Sequence, residues 1–370
     1  MKIMHINSYF MNRFFYQKLY DEQKKSNELL VIIPSDYNYK EKYSYDDTVK
    51  IARCYHRFER FIHFVRLRKI VNYIEKNYKV ADYDVIHAHS LFTNGMVAYM
   101  LAQKYGKPFV VNVRNVDVNI FFKYLVPYWK TGKKILNSAS KVVFLSQSYK
   151  AIIMNKDYKD IDRSKCVIIP NGIDKFWLEN KVNSPRKLDK NSINILYVGD
   201  INKNKNLLTV ARAIDKINSS GINVSYTIVG EIHDRAVAKK IQMFSFVTIV
   251  EYVEKDILLK FYRKADIYVM ASHTESFGLT YVEAMSQGLP VIYSKGQGFD
   301  GQFMEGDVGY HVDPKSYLDI SRKIKLIIER YDELSLNCIE GVDKYRWEEI
   351  ERKYQIIYHE SVKDNKTIVS

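Results

Sequence analysis

Short apolar runs recur along this chain, each followed by a polar turn and then by residues with helical periodicity. Lys2–Ile6, Leu29–Ile33, Asp84–His89, Pro108–Val113 and Lys141–Leu145 read as strands in the first half. Ile193–Val198, Tyr226–Gly230, Val247–Val253, Ile267–Met270 and Pro290–Tyr293 do so in the second. Helical spacing marks 256–264, Leu279–Gln287, Tyr317–Tyr331 and Trp347–His359. Strand and helix alternating through two successive halves predict an α/β protein of two doubly wound, Rossmann-like domains facing across a cleft. The polar, Pro-containing segment 180–193 is the expected linker. The domains are therefore expected at 1–180 and 181–345, with a terminal helix over 346–370.

One helix is expected to be long. Over 51–79, Tyr55, Phe58, Ile62 and Val65 fall at helical spacing, and Phe61 and Phe64 widen the apolar face. Arg57, Arg60, Arg66, Arg68 and Lys69 supply a basic complement. Two readings stay open: a helix lying on an anionic membrane surface, or a domain helix with a buried aromatic stripe and snorkelling arginines.

The candidate chemistry lies in Ala265–Ile292, a strand, loop, helix and strand in succession. Gly288 and Pro290 stop the helix in the expected way. Glu275 sits in the loop and Glu283 inside the helix, on either side of the helix start. A helix N-terminus suits a pyrophosphate, and Gly278 lets the backbone approach it. The two carboxylates would repel phosphate, so they read better as acceptors for hydroxyl groups at either end of a nucleotide sugar. The plainer alternative is an acid favoured by the helix dipole beside one solvated Glu.

The run from Glu275 through Phe277-Gly278 to Glu283-Ala-Met, then Gly288-Leu-Pro-Val, resembles the signature of the retaining family 4 glycosyltransferases of the GT-B fold. The resemblance extends over nearly the full chain. It implies that Glu275 contacts the donor hexose and Glu283 the ribose hydroxyls, while the backbone at Ser276, Phe277, Gly278 and Leu279 faces sugar and phosphates. It implies that Gly199 and Lys205 meet the diphosphate. Asp200 stands where the family has Arg, leaving Lys203 or Arg263 as substitutes. Asp84-Val-Ile-His87-Ala-His89 matches a family stretch, and His87 and His89 join Arg114 and Asn115 on the acceptor side. Arg114-Asn115 replaces the family's His-Gly, whereas Asp117 is retained. Glu275, Asp117 and Lys205 are the expected catalytic residues. The family's glycine pair after the first strand is missing.

Length and charge narrow the partners. A chain of 370 residues exceeds one ordinary core. The net charge is +14, and residues 1–180 hold nearly all of it, with 30 Lys or Arg against 17 Asp or Glu. That suits an anionic membrane or a phosphorylated acceptor. No zinc spacing or ribonucleoprotein motif points to nucleic acid. Three scattered cysteines and no apolar leader suit a cytoplasmic protein, peripheral on the inner membrane face if the basic helix docks there. No cofactor or metal is expected: Asp160-Ile-Asp162 has a metal-like spacing but lies in a charged helical stretch.

The expected activity is hexosyl transfer, with retention, from a nucleotide-diphosphate sugar to a lipid-linked saccharide in cell-surface polysaccharide synthesis. UDP is favoured over GDP as the carrier. The alternatives are a soluble transferase with a small acceptor, and a catalytically silent subunit that only binds the nucleotide sugar.

Overall fold

A computed structural model describes residues 1–10, 15–40, 45–114, 117, 129–155, 158 and 160–369. Two compact units share the chain. One comprises 1–145, 149–172 and 347–370, the other 146–148 and 173–346.

The first unit is built on seven strands: β1 (Lys2–Ile6), β2 (Glu28–Asp36), β3 (Val49–Tyr55), β4 (Val85–Ala88), β5 (Phe109–Val113), β6 (Lys141–Phe144) and β7 (Cys166–Ile168). All pair in parallel, in the order β3-β2-β1-β4-β5-β6-β7. Central strands of such a sheet are covered on both faces, which is why they are continuously apolar; β1 is buried from Ile3 to Ile6. The terminal helix Trp347–Val369 belongs to this unit and packs Trp347, Ile350, Tyr354 and Tyr358 onto one face of the sheet.

The second unit holds six parallel strands: β8 (Ser192–Val198), β9 (Asn223–Val229), β10 (Val247–Val250), β11 (Ile267–Met270), β12 (Val291–Ser294) and β13 (Gly309–Val312). Their order is β10-β9-β8-β11-β12-β13. Each unit is therefore a doubly wound, Rossmann-like α/β domain. The helix Leu279–Ser286 ends as its glycine requires. Gly288 has φ +73°, its N–H donates to the Met285 carbonyl, and Leu289 N–H donates to Ala284. This is a Schellman closure, open to a residue without a Cβ.

Three expectations need correction. The units divide at Gly172/Ile173, and 180–193 lies within the second unit, leading from the short helix Lys175–Glu179 into β8. The segment 51–79 is not one helix. Val49–Tyr55 pairs in parallel with β2 as the edge strand, a 3₁₀ turn spans Arg57–Phe61, and the helix begins at His63. β-Branched and aromatic residues at 49–55 satisfy a strand as well as a helix, and the edge of the sheet decides. The buried face of helix His63–Asn77 is Leu67, Ile70, Val71 and Ile74. Phe58, Ile62 and Val65, expected to share a stripe, face solvent at 61%, 51% and 40% exposure, as does Phe64 at 66%. Arg66 and Lys69 turn to local partners: Arg66 donates to Thr93, and Lys69 pairs with Glu59 at 2.6 Å.

Candidate active site

In an open parallel sheet, ligands bind beyond the C-terminal ends of the strands where the winding direction reverses. In the second unit that point lies between β8 and β11. The loop after β8 carries Lys205 and the loop after β11 carries Glu275, so the topology alone draws these two side chains together. Their Nζ and Oε2 are 2.7 Å apart, and both side chains are largely enclosed. Lys205 ends a 3₁₀ turn capped by Asn202, whose Oδ1 accepts from the Lys205 N–H. Asn206 next to it takes φ +57° and donates its side-chain N–H to Ala271, tying the two loops.

The loop from Glu275 to Gly278 is held rigidly. Glu275 N–H donates to Gln297 Oε1 at 3.0 Å, its carbonyl accepts from Gly298 N–H at 2.9 Å, and its Oε1 accepts from Ser276 N–H. Gly298 is needed for this: a Cβ there would stand 2.0 Å from the Ser276 carbonyl oxygen. Phe277 points inward, 2% exposed, with its ring edge against Tyr345. Gly278, at φ +79°, starts the helix without a side-chain cap. The first-turn N–H groups therefore carry no competing side-chain acceptor, and with the helix dipole they make an anion site. Glu283 lies on this helix and accepts from Tyr262 Oη at 2.9 Å, and the Trp177 ring packs edge-on against Tyr262. Burial pushes its carboxyl up to about 7, against the opposing pull of the Tyr262 hydrogen bond. Tyr262, Trp177 and Gln297 were not legible as site residues; their role depends on which side chains the fold brings beside the two glutamates.

The other donor-side candidates separate. Gly199 takes φ +141° directly after β8, at the same strand end as Lys205. Lys203 extends into solvent with Asp234 at 4.0 Å, away from the Lys205–Glu275 pair. Arg263 is turned to other partners. It ends helix Lys255–Lys264, at the edge where β11 begins, and there it donates to Gln287 and to the Asn180 carbonyl. That edge is opposite to Glu275, because helices of this fold run antiparallel to the strands. Asp200 is exposed, 3.6 Å from His233. Beyond β9 and β10 a hollow of about 1030 Å³ is lined by Glu231, Ile232, Arg235, Glu251 and Tyr252, among others.

Two family models cover the chain in succession, "Glycosyltransferase Family 4" over residues 22–175 and "Glycosyl transferases group 1" over residues 179–345. The chain belongs to the family 4, group 1 glycosyltransferases. It is 25% identical over 290 residues to the capsular polysaccharide biosynthesis glycosyltransferase CapM of Staphylococcus aureus, spanning 72% of this chain and 74% of that protein. It is 25% identical over 261 residues to the alpha-monoglucosyldiacylglycerol synthase of Acholeplasma laidlawii, spanning 65% of each. Among solved structures, the E. coli trehalose-6-phosphate protein bound with UDP-2-fluoro glucose superposes with TM-score 0.72 at 10% identity, over 97% of this chain and 99% of that one. The fold is thus GT-B.

The transferase's first unit treats its candidates differently. His87 and His89 are fully buried and do not offer an acceptor surface. They form a cluster with His5, whose Nδ1 lies 3.0 Å from His89 Nε2. His87 is hydrogen-bonded through Nε2 to Asn112 and through Nδ1 to Tyr358. Tyr16 and Tyr20 from helix Phe15–Gln23 and Tyr354 and Tyr358 from the terminal helix enclose the three rings. Burial drives the His87 pKa down to about 3 and those of His5 and His89 well below the usual value. Among the described residues this is the one grouping with metal-ligand proximity. Both His87 nitrogens are already engaged, so its donor set fits a neutral hydrogen-bonded core better than a cation.

Asp117 is also buried. Its Oδ2 accepts from the N–H groups of Leu91 and Arg114, at 3.0 and 2.8 Å, and burial raises its carboxyl to about 6. Through these contacts it joins the loops after β4 and β5. No side-chain ion pair links it to Arg114. Asn115 lies outside the described residues.

Proposed function

We propose that this glycosyltransferase moves a hexose from a UDP-sugar to a hydroxyl of a lipid-linked saccharide, with retention of anomeric configuration, in the making of a cell-surface polysaccharide. The observation that carries this reading is the Lys205–Glu275 pair at the β8/β11 switch point, next to an uncapped helix start. The names of CapM and of the diacylglycerol-linked synthase support a surface polymer and a lipid-borne acceptor, and the bound UDP-2-fluoro glucose of the E. coli protein supports UDP.

In this reading the diphosphate lies over the N–H groups at Leu279 and takes Lys205 as its counter-ion. Glu275, released from that lysine, accepts hydrogen bonds from the hexose hydroxyls. Glu283, steadied by Tyr262, does the same for the ribose. The bond from the anomeric carbon to the β-phosphate oxygen breaks, and the acceptor oxygen bonds to that carbon on the same face. The acceptor proton passes to a β-phosphate oxygen, and UDP departs. Asp117 spends its Oδ2 on two backbone N–H groups, which favours this front-face course. Lys205 and the helix N-terminus offset the leaving charge without a metal.

The basic first unit, with Phe58, Ile62 and Phe64 exposed, fits docking on the anionic inner face of a membrane. No helix among the described residues is long and apolar enough to cross one. The decisive test is UDP release from UDP-glucose and UDP-galactose by the full chain, with an excess of EDTA and without, and the product anomer read by NMR. Inversion, or abolition of turnover by EDTA, would overturn the mechanism.

A further inference from the structure

Arg114 ends β5 at the C-terminal edge of the first sheet and is only 8% exposed. A guanidinium so enclosed ordinarily has a carboxylate partner, because an unpaired buried charge is costly. Among the described residues none forms a direct ion pair with it, although the charge of Arg114 does reach buried Asp117 and favours its ionised form. Its Nη1 donates to a neutral acceptor, Asn171 Oδ1, at 3.2 Å, and its Cζ lies 5.5 Å from the centre of the Tyr16 ring. Its Nε has no hydrogen-bond partner among the described residues. The acid nearest in sequence, Asp117, uses its Oδ2 on backbone N–H groups. Between Asp84 and Asp157 the sequence has no other acidic residue.

From this we infer that Arg114 is a recognition residue for an anion carried by the saccharide substrate, a carboxylate or a phosphate. The guanidinium fork matches such groups two bonds at a time, and Nε is one of its two usable edges. Tyr16 beneath and Asn171 beside it fix the plane of the fork in advance of binding. The inference rests on the glycosyltransferase reading, since it assigns the substrate of that activity: an acidic sugar or sugar phosphate in place of a neutral one. The anion has two possible sources, the hexose of the donor or the acceptor.

Two matched pairs of probes separate the sources, measured by calorimetry on the full chain. The donor pair is UDP-glucuronic acid against UDP-glucose, and the acceptor pair is octyl glucuronide against octyl glucoside. In one pair the acidic member is expected to bind at least about 10-fold more tightly, and Arg114→Gln to erase that ratio. Arg114→Lys, which keeps the charge but loses the fork, should retain part of it. Thermal melting of both variants checks that they are folded. Equal binding of acidic and neutral members in both pairs would overturn the inference, as would an equal loss for all four probes in Arg114→Gln. Failure of UDP itself to bind the unaltered chain would instead strike the glycosyltransferase reading, and the acceptor pair would still judge Arg114.

Discussion

The Lys205 ammonium lies 2.7 Å from the Glu275 carboxylate, in a pair that the loops after β8 and β11 enclose. In the absence of donor each charge neutralises the other. On the proposed function, a bound diphosphate would draw the lysine away and free the glutamate for the sugar, which would make the pair a placeholder for the ligand. Removing one member alone takes an opposite charge away from the other in an enclosed site. Lys205→Ala should be the more damaging for donor affinity, because it leaves a carboxylate facing the diphosphate. Glu275→Ala is expected to lower kcat about 10²–10³-fold, of the order seen when a group that stabilises a transition state is lost. The double variant should lose less than the product of the two single losses. UDP-release kinetics on all four proteins checks this, and strictly multiplicative losses would show that the two side chains act independently.

Gly298 offers a second test that involves no charge. A Cβ at this position would meet the Ser276 carbonyl oxygen at 2.0 Å and the Phe277 nitrogen at 2.6 Å, so the Glu275–Gly278 loop would have to move. Gly298→Ala is expected to weaken UDP-sugar binding by about 10- to 100-fold, as a misplacement of about 1 Å does at a preorganised site. Gly296→Ala is the control: nothing lies within 4 Å of its Cβ, although φ is +72°. It should cost about 1 kcal/mol of stability through backbone strain and leave donor affinity near its starting value. Equal affinities in the two variants would mean that the loop does not shape the donor site.

Much of this was legible in the chain itself. Apolar runs separated by helical periodicity were enough for two parallel sheets, since a strand buried on both faces has little freedom in composition. Glu275 and Lys205 were singled out by the resemblance of their motifs, and the strand-end loops of this topology bring the two side chains together. What failed has physical causes. The run Tyr55–Val65 carries apolar residues at helical spacing, yet the sheet edge takes its start as a strand and solvent receives its aromatics. His87 and His89 sit at a strand end as ligand residues do, but tyrosines from two distant helices close over them. Arg263 was offered as a substitute for the family arginine that Asp200 replaces, whereas the direction of its helix carries it to the opposite edge.

The exposed aromatics make a prediction about membranes. Phe58, Ile62 and Phe64 project from the 3₁₀ turn and the helix start, with Arg57 and Arg68 also exposed. Full burial of such a side chain stabilises by about 1.5–3 kcal/mol. Partial insertion of three of them should therefore still account for roughly 10²-fold in partitioning. The chain should co-sediment with vesicles containing anionic lipid, less so at high salt. Phe58→Ser/Ile62→Ser/Phe64→Ser should reduce the bound fraction while UDP release from a soluble donor continues. Equal sedimentation of the triple variant and the unaltered chain would remove this surface from the account.

Buried groups of opposite kind predict an unusual dependence of stability on pH. His5, His87 and His89 have folded pKa values below the free value of about 6.5, with His87 at about 3. Their contribution is present above pH ~6.5 and is lost as pH falls toward those folded values. Asp117 at about 6, and Glu283 and Glu351 at about 7, are raised by burial. Their contribution is complete below the unfolded carboxyl range near pH 4 and is lost as pH rises through 6 to 7. Between about pH 4.5 and 6.5 the unfolded chain gains protons on three histidines while the folded chain holds them on three carboxyls, so the two slopes oppose. The melting temperature should therefore change little across that interval and fall steeply below pH ~4. Glu283→Gln/Glu351→Gln removes two of the opposing groups and should expose a slope of about 2.7 kcal/mol per pH unit near pH 5, with lower stability on the acid side. At pH 8 the same variant should melt above the unaltered chain, because two buried charges are gone. Circular-dichroism melts at pH 4.5, 6.5 and 8 decide the matter; parallel profiles for the two proteins would show that Glu283 and Glu351 are not held protonated in the folded chain.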